Sequence, residues 1–172
     1  MALTLVRHTT PLVAPGICYG QSDLPLAPSF EGEAQQVINA LSSAAHIVTS
    51  PLTRCKQLAE RLREHFGSEI SEDTRLMEMD FGRWEGIAWD DIPRAELDAW
   101  AADFWSAKPH GGESVADVKK RCDAALSDAM QMNPSALIVT HAGIIKAAFA
   151  KGQTADDYAL SIAYGAALNY SG

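Results

Sequence analysis

The chain is poor in cysteine and in positive charge. Its 172 residues include three cysteines, and no two of them form a C-x-x-C pair. An odd number of widely spaced thiols argues against a disulfide framework and is typical of a cytoplasmic protein. The 14 Lys and Arg residues are outnumbered by 22 Asp and Glu residues, which gives a net charge of -8. This charge disfavours nucleic acids and anionic membranes as partners, although a local basic pocket would still bind a small anion.

Several sequence signatures are missing as well. No apolar run reaches the length of a membrane span, and Arg7 and His8 interrupt the early apolar run, so we expect neither a membrane helix nor a secretory leader. The absence of G-x-S-x-G disfavours a serine hydrolase, and the absence of H-E-x-x-H removes one compact metal signature. The length suits one domain over residues 1–172.

Two predicted strands end on histidine. The β-prone run over residues 3–6 is followed directly by Arg7 and His8, and the apolar run over residues 136–139 leads to His141. Ligands of open α/β sheets bind outside the carboxyl ends of the strands. If these two strands are parallel neighbours, both histidines therefore lie at one edge, where they form a site. Two separate, internally satisfied polar residues are the alternative.

A third strand end adds a cation. Residues 44–50 are predicted to form a strand, Pro51 ends it, and Arg54 begins a helix with an apolar stripe. The amide groups at a helix N-terminus favour a bound anion. We therefore expect Arg54 at the same edge as His8, with a solvated helix residue as the alternative.

Strands and helices alternate along the rest of the chain. A loop of about twenty residues follows His8, and its proline and aromatic content predicts a shaped binding loop. Further predicted elements are a helix capped by Ser29, a strand over 69–71, a capping box at Ser114 and Asp117, a helix over 144–150 and a last strand over 160–164. The alternation predicts an α/β protein, a three-layer α/β/α sandwich with a mainly parallel sheet.

Aromatic residues are concentrated in one helix-like segment from Trp89 to Trp105. Such a segment packs in the core or lines a pocket above the strand ends. Together with Tyr19, Gln21 and Trp84, it supplies candidate contacts for the leaving group of a substrate, with core packing as the alternative.

Five motifs, taken in order, resemble those of the histidine phosphatase superfamily, also called the phosphoglycerate mutase-like family. They cover residues 5–8, 50–54, 78–86, 112–114 and 139–143. Each motif alone is weak, but five in the family's order, spread over nearly the whole chain, are specific. Thr9 stands where the family usually has glycine, and its hydroxyl could donate to a phosphate.

The resemblance implies a role for each motif residue. His8 matches the nucleophile that forms a phosphohistidine, Glu78 matches the proton donor, and Arg7, Arg54 and His141 would surround the phosphoryl group. Neither a metal ion nor another cofactor is implied, and the expected partner is a small phosphate ester. The candidate substrate-binding residues are Arg7, Thr9, Tyr19, Gln21, Arg54, His141 and Ala142.

These residue types suit phosphoryl transfer. The reaction needs positioning and positive charge around the equatorial phosphate oxygens, and the forked donors of arginine match that geometry. A neutral imidazole is nucleophilic near pH 7, and a carboxyl group such as that of Glu78 can donate a proton to the leaving alkoxide.

Two features of the sequence bear on the substrate. The run over residues 16–26 resembles the corresponding loop of α-ribazole phosphatases, which act in cobalamin assembly, and the chain looks shorter than a typical phosphoglycerate mutase. We therefore expect a phosphatase, with a mutase-type transferase or a non-catalytic phospho-ligand module as alternatives. A metal-dependent hydrolase using His8, His141, Glu78 and Asp80 is a further one. An exposed edge strand near the C-terminus would permit a homodimer.

Overall fold

In the computed structural model, which describes residues 2–172, five strands form one mostly parallel sheet. In chain order the strands are β1 (Leu3–Arg7), β2 (His46–Thr49), β3 (Glu69–Glu72), β4 (Leu137–Thr140) and β5 (Ala167–Tyr170). Their order across the sheet is β3-β2-β4-β1-β5. Strand β1 pairs in parallel with β4 and antiparallel with β5. The two strands that precede the histidines are therefore neighbours.

Helices cover both faces of this sheet. They are α1 (Phe30–Ala40), α2 (Thr53–Phe66), α3 (Arg94–Ala102), α4 (Val115–Met132) and α5 (Ala142–Phe149). Alternate strand side chains point to opposite faces. Leu5 and Ile138 pack with α4 and α5, whereas Val6 and Val139 pack with α1 and α2. The predicted three-layer α/β/α architecture is confirmed. Within residues 2–172, the structure contains no helix that is both long and apolar enough to cross a membrane.

The last strand lies further along the chain than the sequence predicted. Residues 160–164 form no strand and instead pass beside the carboxyl end of β1. Gly165 follows with a φ of +72°, and its amide donates to the carbonyl oxygens of Arg7 and His8 at 3.1 and 3.2 Å. Residues 165 and 166 thus bond to the end of β1, and the regular antiparallel ladder with β1 runs from Ala167 to Tyr170.

The capping predictions had mixed outcomes. Ser114 and Asp117 form the predicted capping box at the start of α4. The predicted cap by Ser29 is wrong, because its hydroxyl donates to Glu33 Oε1 at 2.6 Å and no backbone amide donates to it.

The aromatic segment is not one helix. A single turn of 3-10 helix covers Trp89–Asp91, α3 starts after Pro93, and it ends at Ala102. Proline fixes its own φ and is tolerated where a helix starts, but it interrupts a longer one. The other predicted elements differ from the structure by a few residues at their ends.

Candidate active site

The two strand-end histidines meet at one edge of the sheet. Arg7 is the register partner of Thr140 across β1 and β4, so the next residue of each strand leaves the sheet at the same level. The ring centroids of His8 and His141 are 5.1 Å apart, and the two residues are only 1% and 0% exposed. The structure therefore places both imidazoles in one enclosed site.

One nitrogen of His8 is fixed by a hydrogen bond. Its Nδ1 lies 2.7 Å from the carbonyl oxygen of Thr9, and because a carbonyl oxygen only accepts, Nδ1 carries the proton. Burial, followed by the charges of Arg54 and Arg7, lowers the pKa of His8 to about 3, against the opposing effect of the Thr9 carbonyl. The ring is neutral near pH 7, and Nε2 keeps the lone pair that a nucleophile needs.

His141 occupies the N-cap position of α5. Its Nε2 lies 2.8 Å from Ser50 Oγ and 3.4 Å from Cys55 Sγ. Burial, then the neighbouring charges of His8 and Arg54, holds the pKa of His141 well below its usual range. An anion bound beside the ring would favour its charged form again.

Arg54 lies in the first turn of α2 and is completely buried. Its Nη1 donates to the carbonyl oxygen of Ser22 at 2.8 Å, and its Nη2 donates to that of Gly20 at 2.6 Å. Arg54 therefore holds the loop that follows β1 and places a charge close to His8. The alternative of a solvated helix residue is wrong for this side chain.

Arg7 is held by the C-terminal part of the chain. Its Nη1 donates to the carbonyl oxygen of Ile162 at 2.5 Å, and its guanidinium lies 3.8 Å from the ring centroid of Tyr164. The hydroxyl of Tyr164 lies 2.7 Å from that of Tyr19, and its ring centroid lies 5.6 Å from that of His8. Tyr164 is thus a neighbour of the site that the sequence analysis missed, because residues 160–164 were assigned to a strand.

Three donors of Arg7, Arg54 and Thr9 have no protein partner. Among residues 2–172, Arg7 Nε, Arg54 Nε and Thr9 Oγ1 are buried without a hydrogen bond. An unpaired buried donor costs about 1–3 kcal/mol. A phosphate oxygen is an acceptor that would satisfy such groups, and guanidinium donors suit it best.

Glu78 is positioned against the start of α5. Its carboxylate accepts hydrogen bonds from the amides of Met79 at 2.9 Å and Gly143 at 3.0 Å, beside the helix residue Ala142. Gln21 donates from Nε2 to the carbonyl oxygen of Glu78 at 3.1 Å. The same helix end therefore carries His141 and receives the carboxylate of Glu78.

Arg121 of α4 binds the backbone that precedes and includes Glu78. Its Nη1 donates to the carbonyl oxygens of Arg75 and Met77 at 2.7 and 2.6 Å, and its Nη2 donates to that of Glu78 at 3.0 Å. Glu113 in turn holds Arg121 through two hydrogen bonds of 2.7 and 2.8 Å. Arg121 is a positioning residue that no sequence motif pointed to.

Glu85 fixes the loop after β1. Its carboxylate accepts from the amides of Gln21 at 2.9 Å, Ser22 at 2.7 Å and Phe81 at 3.1 Å, and also from the Ser22 hydroxyl. Burial raises the pKa of Glu85, but these hydrogen bonds outweigh burial and keep that pKa below its usual value. Glu85 therefore has a structural role, in which it joins residues 21 and 22 to Phe81.

The metal-dependent alternative lacks a suitable set of ligands. Asp80 uses Oδ1 to accept a hydrogen bond from the Gly82 amide at 2.7 Å. In the part of the chain that the structure describes, no three His, Cys, Asp or Glu side chains are grouped closely enough to hold an ion.

The aromatic residues of segment 89–105 and Trp84 pack in the core, and two of them also line a cavity. Trp84 is 1% exposed, packs with Cys18 and Ile92, and donates to Glu96 Oε2 at 2.6 Å, so the core alternative applies to it. Trp100 and Phe104 also pack against the core, and they line a cavity of about 280 Å³ that reaches Glu78.

Gly143→Ala should impair the site without unfolding the protein. A Cβ at Gly143 would collide with Glu78 Oε1, which is the mobile end of a side chain, so the carboxylate rather than the fold should move. We expect kcat/KM on alkyl phosphates to fall about 10- to 100-fold, since one acid–base contribution is worth about 10²–10⁴-fold. A 4-nitrophenyl ester, whose alcohol leaves without a proton, should lose less.

The matched control is Gly32→Ala in α1, where a Cβ meets nothing within 4 Å. This variant should be fully active and slightly more stable, because alanine is favoured over glycine in helices by about 1 kcal/mol. Equal losses on both classes of ester for Gly143→Ala would contradict the assignment of Glu78 as a proton donor.

Acid should destabilise the native protein through His8. The pKa of His8 is near 3 in the folded state, whereas in the unfolded chain it is about 6.5. The unfolded state therefore binds one more proton between these values, and stability falls as the pH drops. Between pH 6 and pH 4, we expect the unfolding free energy of the wild type to fall about 1 kcal/mol per pH unit more steeply than that of His8→Gln.

Urea titrations at several pH values measure this difference. His65→Gln, on an exposed position of α2, is the matched control for loss of a histidine. Parallel pH profiles for the wild type and His8→Gln would show that His8 is not held neutral by the fold.

Comparison with known proteins adds an independent observation. The family model described as "Histidine phosphatase superfamily (branch 1)" matches residues 3–161. The chain is 33% identical over 146 residues to a probable phosphoglycerate mutase GpmB of Cronobacter sakazakii, covering 80% of this chain and 67% of that protein.

Solved structures with the same fold include a phosphatase and a mutase. A mycobacterial glucosyl-3-phosphoglycerate phosphatase is similar with a TM-score of 0.83 and 27% identity, covering 99% of this chain and 90% of that one. A phosphoglycerate mutase from Thermus thermophilus is similar with a TM-score of 0.78 and 29% identity, covering 98% and 92%. Phosphatases and mutases thus share this architecture.

Proposed function

Because the chain belongs to the histidine phosphatase superfamily, we propose that it hydrolyses small phosphate monoesters through a phosphohistidine on His8. One observation carries the proposal. A neutral His8, whose Nδ1 is fixed by the Thr9 carbonyl, lies beside His141 and within the influence of the Arg54 and Arg7 charges. This is a nucleophile next to donors for the oxygens of a phosphoryl group.

In the first step, Nε2 of His8 attacks phosphorus and the bond from phosphorus to the ester oxygen breaks. Glu78, in its carboxylic acid form, gives its proton to the leaving alkoxide, and the alcohol departs. The proton on Nδ1 stays in its hydrogen bond to the Thr9 carbonyl, so the ring keeps its orientation. Arg7 and Arg54 stabilise the charge on the three phosphoryl oxygens.

In the second step, water attacks the phosphorus of the phosphohistidine. The carboxylate of Glu78 takes the proton of this water, the bond between phosphorus and Nε2 breaks, and inorganic phosphate leaves. His8 and protonated Glu78 are then restored, so the cycle closes without another reactant. The positive charge comes from guanidinium groups, so no step requires a metal ion.

The test is to quench the enzyme in alkali during turnover of a ³²P-labelled ester. We expect an acid-labile, alkali-stable label on His8, located by peptide mapping, and release of labelled phosphate to water at the steady-state rate. Turnover without any labelled His8 after rapid quenching would contradict the phosphohistidine.

The fate of the phosphoryl group separates phosphatase from mutase. Similarity to a probable phosphoglycerate mutase supports the mutase as the second candidate. With 3-phosphoglycerate as substrate, a phosphatase gives glycerate and phosphate, whereas a mutase gives 2-phosphoglycerate. We expect glycerate and phosphate.

The finer assignment, to α-ribazole 5′-phosphate, rests on the run over residues 16–26. A panel of phosphate monoesters that includes this compound, ranked by kcat/KM, tests it. The assignment fails if α-ribazole 5′-phosphate ranks below simple sugar phosphates.

A further inference from the structure

An aromatic cavity lies against the carboxylate that protonates the leaving group. We propose that this cavity receives the alcohol part of the phosphate ester and selects planar, largely apolar alcohols. The inference deepens the proposed function and rests on it, because it takes Glu78 as the proton donor.

The cavity extends from Glu78 along the side of α5. It has a volume of about 280 Å³, and its lining is mostly apolar. The lining residues are Glu78, Met79, Phe81, Trp100, Phe104, Val115, Val118, Ala142, Gly143, Lys146, Ala155 and Tyr158. Since Glu78 and Gly143 belong both to this lining and to the catalytic arrangement, an alcohol oxygen at Glu78 would have its carbon skeleton in the cavity.

The size and the walls of the cavity favour rings. A dry cavity of about 150 Å³ is enough for benzene, so the volume here suits one or two fused rings. Phe104 and Tyr158 lie edge to face with ring centroids 5.4 Å apart, and Phe81 and Trp100 do so at 6.1 Å. A planar ring can continue this edge-to-face pattern, which a glycerol or glycerate skeleton cannot.

The experiment compares two esters of primary alcohols, so that leaving-group chemistry differs little. We expect kcat/KM of the full chain for 2-naphthylmethyl phosphate to exceed that for ethyl phosphate at least tenfold, because a few methylene equivalents in an apolar pocket give such factors. A preference below twofold, with both esters hydrolysed, overturns the inference while the proposed function stands.

Filling the cavity should remove the preference. Ala155 lies in the cavity lining and is exposed, so Ala155→Trp can fold while placing a ring in that space. We expect the ratio of the two kcat/KM values to fall at least fivefold. Ala159→Trp is the matched control, because Ala159 is an exposed alanine of the same segment outside the lining. An unchanged ratio in Ala155→Trp overturns the inference.

A binding measurement separates the two proposals. In His8→Ala, calorimetry measures the affinities for 2-naphthylmethyl phosphate and ethyl phosphate without turnover, so the difference between them reports binding in the cavity. Tighter binding of the naphthylmethyl ester, together with no hydrolysis of any ester by the wild type, would support the cavity and reject the hydrolase. Equal binding of the two esters rejects the cavity whatever the wild type hydrolyses.

Discussion

His8→Ala should lose at least about 10⁴-fold in kcat/KM on 4-nitrophenyl phosphate, because loss of the nucleophile removes both steps of the reaction. No neighbouring group can replace it. His141 uses Nε2 for a contact with Ser50 Oγ, and Cys55 is a thiol whose pKa burial raises. The remaining donors would still bind phosphate, so affinity for inorganic phosphate should fall far less than activity does.

The measurement is the release of phosphate at saturating and limiting substrate, with circular dichroism to verify folding. His65→Ala, at the exposed end of α2, should keep wild-type activity and controls for loss of an imidazole. Activity of His8→Ala within tenfold of the wild type would end the proposal that His8 is the nucleophile.

Arg54→Met should lose about 10³–10⁵-fold in kcat, the range associated with an arginine that stabilises a transferred phosphoryl group. Methionine keeps much of the length of the side chain but supplies no charge and no donor. Two effects add in this variant. The transition state loses a guanidinium, and the carbonyl oxygens of Gly20 and Ser22 lose their partner. Removal of this charge should also let the pKa of His8 rise, since Arg54 is one of the groups that lowers it.

Thr53→Val separates these two effects. Thr53 anchors the same loop through its hydroxyl, which donates to Asp23 Oδ2 at 2.8 Å, but it carries no charge. We expect this control to lose less than tenfold in kcat, and Arg54→Lys, which keeps the charge but not the fork, to fall between the two. Equal losses in Arg54→Met and Thr53→Val would mean that Arg54 only holds the loop.

Local sequence patterns predicted that each of the two histidines follows a strand. Each lies directly after a short apolar run, and the alternation of strands and helices predicts a mainly parallel sheet. That β1 and β4 are neighbours in this sheet was only a condition of the prediction, and the structure supplies it. Arg54 was predictable for the same reason, because a strand, a proline and an amphipathic helix follow one another there. A site residue is predictable where its position depends only on the strand that precedes it and the helix that follows.

The positioning residues depend on distant segments and could not be predicted in this way. Arg121 lies within α4, where its spacing resembles that of any surface cation, and the backbone carbonyls that it binds are 43 to 46 residues away in the chain. Tyr164 follows a run of apolar residues that predicts a strand, and only the turn at Gly165 brings it over Arg7. Strand propensity depends on the residues of the run itself, whereas the hydrogen bonds of the Gly165 turn depend on a distant strand.

Helix α4 has two tasks at the site. Through Arg121 it holds the backbone of Glu78, and through Val115 and Val118 it forms part of the wall against which we place the alcohol. A rigid-body shift of this helix would therefore move the acid and the bound alcohol in the same direction. The alignment of the acid with the alcohol would survive such a shift. The distance of both groups from the phosphorus would change, because the position of the phosphorus is set by β1 and α2.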